Sequence, residues 1–188
     1  MTIESLILPL VSYALGCISP AHFLVRKSTG KSLHQEGTGN LGATNAGRLL
    51  GKKAFIGIAL LDILKGALAV LLALYFKVPS WSVAASSLAV VIGHVWPVQF
   101  RFKGGKGLAT AYGVVVVLVP WISLAMWPVL FLWKASFKRK SISMILTFTC
   151  AAVGSIWVAD PLFTGVIFLL TGLLGYTHRE NLRKEAGK

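Results

Sequence analysis

Acidic residues are scarce in this chain: 6 Asp or Glu stand against 19 Lys or Arg in 188 residues, and charged residues of both signs make up only 13%. With 55% hydrophobic residues and a mean hydropathy of +0.73, so little charge excludes an ordinary soluble surface and points to a lipid environment. Cysteine is nearly absent as well. Cys17 and Cys150 both sit in apolar stretches, which excludes a disulfide framework and a cysteine-based metal cluster. No basic stretch precedes the first apolar run, which opens Met1-Thr2-Ile3-Glu4, so we expect an uncleaved first span rather than a cleaved leader. There is no linker, low-complexity tract or convincing internal repeat. The net charge of +13 suits nucleic acid in sign, but nucleic-acid modules are not built from successive apolar runs of about 20 residues. The basic excess therefore marks cytoplasmic loops lying against anionic lipid, or a site for an anionic substrate.

Apolar runs occupy roughly 3–25, 54–76, 81–100, 108–133, 141–159 and 161–176. If the segments 26–53 and 101–107 are both cytoplasmic, the basic cluster Lys134, Lys138, Arg139 and Lys140 falls outside unless 108–133 crosses twice. A break near Pro120 permits that, because an interior proline disrupts a helix. The expectation is an all-α integral membrane protein, 1–188 as a single transmembrane domain. It would have about seven transmembrane helices, two of them short at about 12 residues, with the N-terminus outside and the C-terminus cytoplasmic. Of the 19 basic residues, only Lys65 and Lys77 then lie outside cytoplasmic segments. Scattered Trp and Phe near the span ends read as an interfacial aromatic belt.

Two polar loops interrupt this pattern. Arg101-Phe102-Lys103-Gly104-Gly105-Lys106-Gly107 combines lysines with glycines, which let backbone N–H groups approach an anion closely. A tight basic turn obeying the positive-inside rule accounts for the same residues. Glu36 to Arg48 contains Gly37, Gly39 and Gly42 in a GxGxxG spacing, but a dinucleotide fold needs a preceding strand and a βαβ unit, and neither fits between membrane helices. Gly30-Lys31-Ser32 resembles the end of a P-loop, yet Val25 stands where its first glycine belongs. Neither is a nucleotide site. Thr38, Asn40, Thr44, Asn45 and Arg48 nevertheless supply hydroxyls, amides and a guanidinium suited to a small polyol phosphate. A capped turn, with Thr44 or Asn45 as N-cap of a following helix, is the structural alternative.

Asp62 and Lys65 lie inside the second apolar run at i, i+3, placed to pair with each other for function or for packing. His94 closes the third run and His178 opens the tail beside Asn181, both at the boundary that carries the glycine loops. His22 and His34 have no such company and read as structural.

In order along nearly the whole chain, these segments resemble the bacterial membrane glycerol-3-phosphate acyltransferase family that uses acyl phosphate as donor. Gly16-Cys17-Ile18-Ser19, Glu36 to Arg48, Leu61 to Gly66, Gly93 to Pro97 with Phe102 to Thr110, and His178 to Leu182 carry the resemblance. The chain departs from the family pattern in Thr38 and Cys17, where serines are usual, and in its short tail after Asn181. The His and Asp separated by four residues that serve another large class of glycerolipid acyltransferases occur nowhere here.

The resemblance implies transfer of an acyl group from acyl phosphate to the 1-hydroxyl of glycerol 3-phosphate in the bacterial inner membrane. The active site would face the cytoplasm, with no cofactor, no metal, no nucleic acid and no obligatory protein partner beyond membrane lipid. It implies catalytic roles among His178, Lys106, Thr38 and His94. A phosphate cradle is implied at Lys103, Gly104, Gly105, Lys106 and Gly107. A glycerol 3-phosphate site is implied at Gly37, Thr38, Gly39, Asn40, Thr44, Asn45, Arg48 and Asn181. The proton acceptor stays open between a histidine and a substrate phosphate. A transporter or channel for a phosphorylated anion is the alternative from another class.

Overall fold

The computed structural model describes residues 2–137 and 140–187, with the side chains of Lys134, Ser136, Phe137 and Lys140 left undescribed. Two of the four residues in the basic cluster of the fourth polar segment, Lys138 and Arg139, lie outside the described residues. Ten α-helices and no strand occur among the described residues: α1 (Ile3–Cys17), α2 (Pro20–Thr29), α3 (Ala43–Leu50), α4 (Lys52–Tyr75), α5 (Ser80–Val95), α6 (Leu108–Leu118), α7 (Pro120–Phe137), α8 (Lys140–Ser155), α9 (Pro161–Thr177) and α10 (Arg179–Glu185).

Local chemistry explains the breaks. The first apolar run divides at Ile18-Ser19. There the Ser19 hydroxyl accepts from the N–H of His22, and Pro20 takes the first position of α2, where its missing N–H costs nothing. Gly30, at φ 72°, closes α2 in the left-handed conformation. The run 108–133 breaks where expected, with Pro120 opening α7, but the two pieces are unequal: α6 has 11 residues and α7 has 18. By length and composition three segments are apolar enough to cross a membrane, Ile3–Thr29, Lys52–Tyr75 and Ser80–Phe100, or four if α9 and α10, bent by 63°, count as one. Large apolar side chains cover the outside, among them Leu10, Tyr75, Trp121 and Trp157, each more than two-thirds exposed. In water such a surface would aggregate, whereas against lipid tails it is at home.

The chain forms two compact units, Met1–Val114 and Val115–Lys188. In the first, α1 and α5 pack most closely. A Cβ on Gly16 would overlap the carbonyl of Val90, and one on Gly93 would overlap the carbonyl of Tyr13, so only glycine permits this backbone-to-backbone approach. Gly66 and Gly113 do the same between α4 and α6, against the carbonyls of Thr110 and Ile63. Tyr13 Oη donates to the Trp96 carbonyl (2.9 Å), and Ser82 Oγ donates to the Ser5 carbonyl (2.7 Å). A separate apolar cluster, including Val25, Leu33, Leu41, Ala46 and Ile58, anchors the first polar loop onto α2 and α4.

In the second unit α7 packs on α8 and α8 on α9, around Phe148, Ala152, Ile167 and Leu170. The carboxylate of Glu185 accepts from the N–H groups of Ser141 (3.0 and 3.1 Å) and Ile142 (3.3 Å), so α10 supplies the cap for α8.

Candidate functional site

The loop Glu36–Gly42 is shaped by one side chain. The Asn45 amide, 2% exposed, accepts from the N–H of Thr38 (2.9 Å) and donates to the carbonyls of Glu36 (2.9 Å) and Asn40 (3.1 Å). Gly37 and Gly39 turn the chain at φ 58° and 70°, and a Cβ on Gly37 would strike the Asn45 amide oxygen. The capping expectation is corrected here. Gly42 is the N-cap of α3 with no side-chain hydrogen bond, while Thr44 and Asn45 lie inside the first turn. Asn45 reaches back to hold the loop, because the loop backbone needs partners that a capped helix start would not provide. Asn40 likewise turns inward, accepting from the N–H of Gly42 (2.9 Å). Thr38, Thr44 and Arg48 are left facing outward and exposed.

The lysine–glycine loop is sewn to the end of α5. Arg101 and Phe102 adopt left-handed φ values of 51° and 58°, a strained turn that reverses the chain. The N–H of Gly104 then donates to the carbonyl of Val95 (3.0 Å), and that of Gly105 to the carbonyl of His94 (3.0 Å). These two N–H groups are therefore occupied by the fold, which corrects their expected part in a phosphate cradle. The backbone donors that helix geometry leaves for a ligand are those of the first turn of α6, entered through Gly107 at φ 84°. Lys103 is exposed and Lys106 half-buried.

The two loops meet. The N–H of Leu41 donates to the carbonyl of Gly104 (3.3 Å), and Ser19 Oγ donates to the carbonyl of Leu41 (3.4 Å). Gly16, Cys17, Ile18, Ser19, Leu41, Lys65, His94, Pro97, Gly104 and Gly105 line the crevice between them, too narrow for a water-sized sphere. On its floor Lys65 Nζ lies 2.9 Å from Asp62 Oδ1 and donates to the carbonyls of Gly16 (3.1 Å) and Ile18 (2.7 Å). His94 Nδ1 lies 3.5 Å from the same carboxylate oxygen. That oxygen makes ionic contacts rather than aligned hydrogen bonds.

His178 and Asn181 belong to the second unit. His178 is buried at the bend between α9 and α10, its Nδ1 2.9 Å from the carbonyl of Leu174, and Asn181 is half-buried on α10. His22 and His34 pack against Phe100, tilted and edge-on, with ring centroids at 4.6 Å and 5.6 Å from it. Among the described residues no three His, Cys, Asp or Glu side chains are grouped as metal ligands.

Sequence reasoning singled out the Asp62–Lys65 pair but not its junction with His94. It placed Ser19 in the segments that carry the resemblance without its contact to Leu41, and missed Gln99, whose Nε2 donates to the carbonyl of Cys17 (2.6 Å). Charge inside an apolar run was the signal for the pair; nothing local in sequence marks the rest.

The profile of the family described as glycerol-3-phosphate acyltransferase matches residues 6–187. Glycerol-3-phosphate acyltransferases of Bacillus velezensis and Aquifex aeolicus are each 37% identical to this chain, over 97% and 96% of it and over 94% and 95% of their own lengths. The solved glycerol 3-phosphate form of PlsY, an integral membrane glycerol 3-phosphate acyltransferase, superposes with a TM-score of 0.88 at 35% identity, covering 98% of this chain and 93% of its own. Its lysophosphatidic acid form gives 0.86 at 33%, with the same coverage. Two glycine loops joined at the mouth of a membrane helix bundle, over a buried acid–lysine–histidine cluster, are the setting of that match across nearly the whole chain: the chain belongs to the glycerol-3-phosphate acyltransferase family.

Proposed function

We propose that this protein transfers a fatty acyl group from acyl phosphate to the 1-hydroxyl of glycerol 3-phosphate, releasing lysophosphatidate and inorganic phosphate. The observation that carries the reading is the hydrogen bond between Leu41 and Gly104, which draws a hydroxyl- and guanidinium-bearing loop and a lysine-rich loop to one place. Two phosphates need two cationic holders, and Arg48 and Lys106 are one on each loop. The solved relatives with glycerol 3-phosphate and with lysophosphatidic acid support the acceptor and the product.

The chemistry asks little of the protein. The hydroxyl oxygen of glycerol 3-phosphate attacks the acyl carbonyl carbon, the bond from that carbon to the phosphate oxygen breaks, and phosphate leaves with the electron pair. The hydroxyl proton passes to His94, to His178 or to a substrate phosphate, whose second pKa is about 6. Aligning the pair supplies up to about 7–11 kcal/mol of the barrier, and donors at the developing oxyanion about 3 more. Arg48, with Thr38 and Thr44 exposed on the same segment, holds glycerol 3-phosphate; a role for Asn181 toward that substrate rests on the family resemblance alone. Gly37, Gly39, Asn40 and Asn45 shape its loop. Lys103, Lys106, Gly107 and the first turn of α6 hold the phosphate of the donor, and Gly104 and Gly105 fix that loop in place.

The whole chain acts as one membrane domain with seven spans: the three long segments, α9, and the shorter apolar helices α6, α7 and α8. The N-terminus is outside and both loops face the cytoplasm, in a bacterial inner membrane. The basic residues of the two loops support this orientation. Purified protein given palmitoyl phosphate and glycerol 3-phosphate is expected to form lysophosphatidate without any other protein. A requirement for an acyl thioester donor, or transport of glycerol 3-phosphate into vesicles without acylation, would overturn it.

A further inference from the structure

The buried cluster on the crevice floor has more order than a packing anchor needs. Asp62 and Lys65 alone would satisfy each other within α4. Instead Lys65 turns its remaining donors to the carbonyls of Gly16 and Ile18, at the break between α1 and α2. The same Asp62 oxygen that meets Lys65 also faces His94 Nδ1 on α5. All three side chains are at least nine-tenths buried.

The other edge of that imidazole is committed too. A Cβ on Gly105 would overlap His94 Nε2, so the ring lies directly against the lysine–glycine loop, one residue from Lys106. The backbone of His94 holds the same residue through the N–H of Gly105. The carboxylate, 3.5 Å from Nδ1 without an aligned hydrogen bond, attracts hydrogen to that nitrogen electrostatically, which favours the tautomer that leaves the Nε2 lone pair toward the crevice wall formed by Gly105.

We infer that Asp62 is a positioning residue. Through His94 it fixes both the tautomer of the ring and the seat of the Gly104–Lys106 loop, so that the loop presents Lys106 in one place. Asp62 and His94 thus form an acid–histidine pair assembled between two helices, in a chain that has no His and Asp separated by four residues. This rests on the transfer reading above, and its failure is distinguishable from a failure of that reading.

The test compares one substitution in two backgrounds, with turnover and KM for glycerol 3-phosphate measured on purified, monodisperse protein. Asp62→Asn with Lys65→Met removes both buried charges together, leaving neither unpaired. His94→Gln in the natural background is expected to lower kcat by about 100-fold with KM within about twofold. In the D62N/K65M background the same change is expected to cost less than about threefold, because the ring has already lost its orienter. If Gln crowds Gly105, His94→Asn gives the same comparison. Equal losses in both backgrounds, or no loss in either, overturn the inference while leaving the proposed function of the unsubstituted protein standing. If D62N/K65M has no activity to compare, the nitrogen NMR signals of the His94 ring in the parent protein decide: hydrogen on Nδ1 supports the inference, and hydrogen on Nε2 overturns it. Absence of transfer in the unsubstituted protein would instead fail the proposed function itself.

Discussion

Asn45 looks in sequence like one more polar residue offered to a ligand, and in the structure its amide is given entirely to the backbone around it. Asn45→Ala removes three hydrogen bonds at a buried position, which should loosen the loop by about 2–3 kcal/mol. Faster hydrogen exchange across 36–42, together with a fall in transfer, is the expected result; unchanged exchange would show that the glycines alone set the loop. Arg48 is the opposite case, since it is exposed, and Lys106 is half-buried on the second loop. Arg48→Ala or Lys106→Ala should abolish transfer while melting temperature in detergent stays within a degree or two of the parent, and near-normal activity in both would dismantle the site. The types of residue at the site were legible because glycine, lysine and arginine stand out in an apolar chain. Which of them point outward was not, because that depends on partners such as Val95 and His94 that hold the loop's N–H groups.

Among the elements, the break at Pro120 was legible, because an interior proline acts through local chemistry, whereas the one at Ser19-Pro20 lies inside 3–25, which reads as a single apolar run. The close approach of α1 to α5 was not legible either, since it depends on Gly16 and Gly93 meeting carbonyls far along the chain. Gly93→Ala must push two helices apart and should cost more than about 2 kcal/mol, read as a lower melting temperature. Gly172→Ala, with nothing within 4 Å of the added carbon, should be neutral or stabilising by up to about 1 kcal/mol through helix propensity. If the two behave alike, the contact at Tyr13 is not what requires glycine. The pairing of Asp62 with Lys65 could be read from their spacing, but the contact with His94 lies across two helices and has no local signature.

For the molecule as a whole, the asymmetry of charge makes a directional prediction. In a background lacking Cys17 and Cys150, a cysteine at exposed Gln35 should react with a membrane-impermeant maleimide only after cells are opened, and one at exposed Ser80 should react on intact cells. The reverse pattern would invert the orientation, and labelling of both from outside would break the span count. The helical class and the first crossings were readable from runs of apolar residues; the division into two units was not, because it falls within the single helix α6. The first turn of α8 is capped by Glu185, which follows Ser141 by 44 positions, so α8 is synthesised before its cap exists. During synthesis its leading amide groups must rest against water, lipid headgroups or the insertion machinery, and a ribosome stalled before residue 185 would leave a helix start that any cellular quality control able to sense open backbone can recognise.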